Sequence, residues 1–122
     1  MRDEYKVTIT AEQVKELAQL VDQNDHTGAM LKLTSFVYDT YVDMYEFDKS
    51  KGYASSQAEY YEMYAMALFE RWRLMKAIQE ISEGFYQLPR KCYDLRYELM
   101  NETLACITNE EEVRDRIKYR GV

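Results

Sequence analysis

Carboxylates at helical spacing are the first residues in this chain that could do chemistry. Glu59 and Glu62, and again Glu80 and Glu83, stand three residues apart, so each pair shares one face of a helix. Paired carboxylates of this kind suit a divalent cation. His26 is the only histidine. A lone imidazole can act as a general base, but it lies in the polar break Asn24-Asp25-His26-Thr27-Gly28, where a capping or surface role is expected. Cys92 and Cys106 are 14 residues apart, about 21 Å along a shared helix, too far for a disulfide. Both fall in apolar rows, so inert buried thiols in a reducing compartment are expected. One histidine and two separated cysteines give no zinc spacing, and no Gly-rich phosphate loop is present. No catalytic residue, metal ligand or cofactor is therefore assigned.

The two Glu-x-x-Glu pairs resemble the acidic motifs of all-α nucleotide pyrophosphatases of the MazG type, which hold Mg²⁺ between paired helices. The resemblance covers these four positions alone and implies a Mg-dependent pyrophosphatase as one alternative. The pairs are 21 residues apart, about 31 Å on one continuous helix. Nothing between Met63 and Gln79 reads as a turn, so exposed acids with ion pairs to Arg73 and Lys76 are the simpler expectation.

The elements that must position these residues start with a long helix over Tyr53 to Glu83. On a helical wheel, Glu62, Arg73, Lys76 and Glu80 gather on one side. Tyr60, Tyr64, Ala67, Leu74, Met75, Ile78 and Ile81 lie opposite. Arg71 falls within that apolar arc. An unpaired guanidinium there would cost several kcal/mol, so either a buried pair with Asp39, Asp43, Asp94 or a Tyr hydroxyl, or a side chain that reaches out to solvent, is expected. The functional alternative is an anion-binding cavity in which Arg71 meets a ligand stacked on Tyr60 or Tyr64. Met66 and Phe69 make the opposite departure, standing on the polar side as candidate interface residues. Pattern violations of this sort mark function or strain.

Tyrosine is the compositional outlier, with 12 in 122 residues, and seven methionines accompany it. A large apolar body with a polar tip suits interfaces, and Met adapts to varied surfaces. Net charge is −6, and residues 1–62 hold twelve acids against six bases, while the remainder is balanced. An acidic surface repels nucleic acid and favours basic partners. The basic tail of Arg114, Arg116, Lys118 and Arg120 follows Glu110, Glu111 and Glu112, so it is no basic stripe, and direct nucleic-acid binding is not expected. No apolar run reaches the roughly 18 residues of a membrane span. Met1–Tyr5 lacks the apolar segment of a signal peptide, and a cytoplasmic location is expected.

Four glycines and one proline are too few for a turn-rich β fold. Tyr5, Val7 and Ile9 alternate with polar residues as a short strand does, and no second strand is evident. Either another copy of the chain pairs with this segment, or it packs on the helices as an extended arm. Thr10 and Gln13 form a capping box before a helix buried through Val14, Leu17, Ala18 and Val21. Asp25 or Thr27 can cap a second helix, buried through Met30, Leu33, Val37, Tyr41 and Met44. A fourth helix after Pro89 carries Cys92, Leu95, Leu99 and Cys106 in one row. Tyr93, Tyr97, Met100 and Leu104 form its second row. Thr108 to Glu111 reads as a second capping box. The expected fold is one all-α domain, residues 1–122, an irregular bundle of four or five helices with a short N-terminal extended segment.

The expected function is that of a small acidic, non-catalytic protein-interaction module, a homo-oligomer with a protein partner. In size and charge it resembles phage-borne inhibitors of nucleic-acid machinery. The alternatives are a helical sensor binding a small anionic nucleotide-like ligand, and the pyrophosphatase. The candidate residues are Arg71, Tyr60 and Tyr64 for a ligand, and Tyr5, Val7, Ile9, Met66 and Phe69 for an interface.

Overall fold

The computed structural model describes residues 6–52, 56–82 and 90–118. Tyr5, Glu83, Gly84, Pro89 and Arg120 lie outside them, as do the side chains of Cys92, Tyr93 and Asp94. The described residues form five helices: α1 Ala11–Asp22, α2 His26–Ser50, α3 Ser56–Ser82, α4 Arg90–Leu104 and α5 Glu110–Arg116. The architecture is an all-α bundle.

Local signals start and stop these helices. Thr10 accepts from the Gln13 amide, and the Gln13 side chain accepts from the Thr10 amide, which closes the capping box. Asn24, in the left-handed region at φ 63°, turns the chain out of α1. Asp25 then caps α2 by accepting from the Gly28 amide at 2.9 Å. Gly52, at φ 77°, ends α2 in the conformation glycine adopts without strain.

The arrangement of α2, α3 and α4 follows from cross-links between them. Lys76 near the end of α3 bonds Asp25 before α2, while Tyr61 near the start of α3 packs its ring on Tyr41. The two helices are therefore antiparallel. Trp72 on α3 donates to Thr103 on α4 at 3.0 Å. The core comprises Leu17 and Val21 from α1, Met30, Leu33, Val37 and Tyr41 from α2, and Leu99 and Leu104 from α4. From α3 it takes Tyr61, Ala65, Leu68, Trp72 and Met75, which recur at alternating steps of four and three. Long apolar helices give no single one enough partners alone, and this three-way burial supplies them.

The extended segment finds its partner within the same chain. Val7 forms a parallel bridge with Ile107, its amide donating to the Cys106 carbonyl and its carbonyl accepting from the Thr108 amide. Thr8 and Thr108 share a hydroxyl hydrogen bond at 2.7 Å. Asn109 grips Ile9 twice, donating to its carbonyl at 2.8 Å and accepting from its amide at 2.9 Å. Val7 and Ile9 are core residues. This corrects the interface role expected of Val7 and Ile9 and favours the alternative of an arm packed on the helices, because the backbone groups that needed a partner are paired on residues 106–109. It also corrects the second capping box. Thr108 is occupied by Thr8, and Asn109 is the N-cap of α5 without a capping side-chain bond. Asn109→Ala should cost about 1–3 kcal/mol, since two backbone groups lose their partner. A lowered denaturant midpoint, with faster hydrogen exchange at the Ile9 amide, is the expected readout.

Candidate functional site

The chemistry-bearing residues of α3 share one side of the helix at the surface and line no core cavity, and Tyr60 and Arg71 are about 16 Å apart along its axis. Tyr60, Tyr64 and Arg71 lie within about 40° of one another on the wheel, along the border where α3 meets α4. Tyr60 is exposed, and Tyr64 and Arg71 are half-buried. Arg71 Nη1 stands 2.9 Å from Glu102 Oε2, with side chains 40% and 37% exposed. Arg71 is thus not an arginine of the core, and its partner is neither Asp39 nor Asp43, which lie exposed on α2. An ion pair this open to water contributes little. Arg71→Ala should shift stability by no more than about 1 kcal/mol, read as a nearly unchanged denaturant midpoint.

The neighbouring groups are protonated at neutral pH. Burial pushes the Tyr64 phenol up to about 12, assisted by Cys106 and Glu102. Burial raises the Tyr41 phenol still further. The Cys106 thiol is buried and pushed up to about 12, and it donates to the Glu102 carbonyl at 3.3 Å. It lies beyond the end of α4, so the expectation that both cysteines share one helix does not hold. Phenols and a thiol in this state donate hydrogen bonds and offer no nucleophile.

Of the two carboxylate pairs, the described members Glu59, Glu62 and Glu80 do not meet. α3 runs unbroken from Ser56 to Ser82, which places Glu59 and Glu80 near its opposite ends. Among the described residues, no three His, Cys, Asp or Glu side chains converge on a metal position. The Asp25 carboxylate bonds the Gly28 amide and the Lys76 ammonium. The Asp25 pKa reflects opposing influences: burial raises it, and the Lys76 and Gly28 bonds outweigh burial to leave it below the ordinary value of 3.8. Burial, with Arg96, lowers His26 below 6.5. Both shifts make acid destabilising. The unfolded chain takes a proton at His26 that the folded chain resists, so stability is full above 6.5 and falls as pH drops toward the folded value. The Asp25 contribution is present above 3.8 and is lost as pH falls through its depressed value. Denaturant midpoints should therefore decline in two stages on acidification, and His26→Asn should remove the upper stage.

An open groove of about 560 Å³ between α1 and α5 is lined by Ala11, Val14, Lys15, Glu112, Asp115 and Arg116, two acids against two bases. In the basic tail, Arg114 bonds Glu110 and Asn101, and Lys118 reaches Asp22 at 3.8 Å. No described helix is long and apolar enough to cross a membrane.

The feature that sequence reading missed is a second apolar face on α3. Tyr60 is 64% exposed, Met63 72%, Leu74 57% and Ile81 77%, with Ala67 and Ala77 exposed between them. Met66 is half-exposed beside them. Phe69 lies nearer the bundle, with the Arg73 guanidinium 5.9 Å from its ring centre. This face is centred about 160° from the buried row of Tyr61, Ala65, Leu68, Trp72 and Met75. The signal was available in the spacing. Trp72, the largest side chain, marks the buried row, and Arg71 lies on the border between the two. No family model matches the chain, and neither the curated proteins nor the solved structures contain a match.

Proposed function

We propose that this protein is a non-catalytic interaction module that assembles through the outer face of α3. The observation that carries the reading is the uncovered row of Tyr60, Met63, Leu74 and Ile81, each more than half exposed. Monomeric proteins expose few large contiguous apolar patches, and those they do expose are often contact surfaces. The net charge of −6 favours basic partners, as expected of an inhibitor or adaptor acting on nucleic-acid machinery. The anion-sensor reading would require a ligand to displace Glu102 from Arg71, so it is the weaker of the two.

The test is a comparison of the native chain with Met63→Glu/Leu74→Glu. Surface changes of this kind alter stability by less than about 0.5 kcal/mol per site, so the variant should fold. Proteins that co-purify with the native chain from its own cells should be lost from the variant. Recovery of the same proteins in the same amounts would overturn the reading.

A further inference from the structure

We propose that the occupant of the α3 face is a basic amphipathic helix of another protein, with its apolar side along the stripe and its lysines or arginines over acids on both borders. The inference rests on the reading of this face as an interaction surface and names the chemistry of its partner.

Shape selects a helix. Tyr60, Met63, Ala67, Leu74, Ala77 and Ile81 recur at steps of three, four and seven residues and run about 31 Å along α3. A segment of about 20 helical residues covers that length, with anchors at the same spacing. The stripe is made of the side chains of one helix, whose backbone groups are already paired along α3. An extended peptide laid on it would leave its own N–H and C=O groups unpaired against apolar side chains, whereas a helix pairs them internally. Met63 and Met66, 72% and 50% exposed, adapt to the apolar side chains that such a helix brings.

Charge selects a basic one. On the side toward α2, Glu62 and Glu80 stand on one line of α3, about 100° round from the centre of the stripe. The Tyr45 hydroxyl of α2 donates to the exposed Glu59 and lies near Glu62. On the other side, Glu98 and Glu102 stand one turn apart on α4, and the bond from Arg71 to Glu102 places them along the border of α3. The bases nearby are already engaged. Glu102 holds Arg71, Glu70 holds Arg73 and Asp25 holds Lys76, while Lys49 lies over the Tyr45 ring. Glu62, Glu80 and Glu98 pair with no basic side chain among the described residues. The surplus charge on both borders is therefore negative. Such a face repels an anionic lipid surface and a second chain of −6 charge, and it attracts a cationic helix.

The probe is a synthetic peptide of about 20 residues, with leucines on one helical face and lysines on its flanks. It is titrated into the purified full chain at about 0.15 M salt and followed by the fluorescence anisotropy of a label on the peptide. It should bind at least about tenfold more tightly than a scrambled peptide of the same composition, or one with glutamates for lysines. Leu74→Glu separates the stripe from charge alone. Leu74 is 57% exposed, so the variant should keep its helical spectrum. The added acid would tighten a purely electrostatic contact, whereas a helix seated on the stripe should loosen about thirtyfold. Glu62→Gln and Glu80→Gln leave the stripe intact and should each weaken binding about two- to fivefold, with a shallower dependence on salt.

A peptide that fails to bind, or that binds Leu74→Glu as tightly as the native chain, would overturn the proposal. Two other occupants would overturn it as well. Co-sedimentation of the native chain, but not of Leu74→Glu, with vesicles of phosphatidylserine and phosphatidylcholine would assign the face to a membrane. A dimer in sedimentation equilibrium that Leu74→Glu dissociates would assign it to a second copy. If the peptide fails while Met63→Glu/Leu74→Glu still loses the co-purifying proteins, the basic helix alone falls and the interaction reading stands. Unchanged recovery of those proteins with that variant would sink the interaction reading itself.

Discussion

Replacing Trp72 with alanine should remove about 3–5 kcal/mol of folding stability, the largest effect expected of any single side chain here. Trp72 is fully buried, and it sits mid-way along α3 where that helix meets both α2 and α4. Its indole Nε1 donates to Thr103 Oγ1 at 3.0 Å, and the same hydroxyl donates to the Leu99 carbonyl at 2.7 Å. Truncation opens a cavity among packed apolar side chains that cannot fully collapse. It does not strand the Thr103 hydroxyl, which keeps the Leu99 carbonyl. Trp72→Phe separates the two contributions. It retains most of the volume and loses the hydrogen bond, for a smaller loss of about 1–2 kcal/mol. Domains of this size hold about 5–15 kcal/mol in total, so the alanine variant would keep a reduced margin. Trp72 is the only tryptophan, so unfolding of both variants must be followed by circular dichroism. A loss below about 1 kcal/mol for Trp72→Ala would mean that α3 does not pack by the row identified above.

Elements with one apolar face were legible in the sequence, and elements with two were not. α1 announces its start through Thr10 and Gln13 and its buried face through Val14, Leu17 and Val21. In α2, the expected Met30, Leu33, Val37 and Tyr41 are buried, and Met44 is half-buried. α3 carries apolar residues on opposite sides, and averaging over both placed the apparent centre near Arg71, on the border. Tyr60, Leu74 and Ile81 consequently fall in the apolar arc of the wheel, while the buried Tyr61, Ala65 and Leu68 do not stand out there. The Glu102 partner of Arg71 was invisible for a different reason, since it lies 31 residues away and no local rule connects them. The same holds for the N-terminal arm. Its alternation is a local signal, but the residues that receive it are about 100 positions distant. A candidate ligand site drawn from one helix face therefore collects residues that share a side of α3 without fixing their depth.

Gly28→Ala should destabilise the native chain by about 2 kcal/mol and stabilise a chain that lacks Asp25. Gly28 stands at the third position of α2, where alanine is ordinarily the better helix former by up to about 1 kcal/mol. Here a Cβ would stand 2.1 Å from Asp25 Oδ2 and 2.4 Å from Asp25 Cγ, closer than atoms approach. The aspartate is short and cannot swing its carboxylate clear while keeping its contacts. It would surrender the cap on the Gly28 amide and the 2.9 Å pair with Lys76. Loss of a cap costs about 0.5–2 kcal/mol, and a half-exposed ion pair adds up to about 1 kcal/mol. Lys76 also ties the start of α2 to the end of α3, so the strain falls on the joint between the two longest helices. In an Asp25→Ala background the obstruction and both contacts are already gone, and only the helix preference of alanine remains. The sign of Gly28→Ala should then invert. Denaturant midpoints of the native chain, the two single variants and the double variant complete the cycle. Equal effects of Gly28→Ala in both backgrounds would show that the glycine is not there to admit the Asp25 carboxylate.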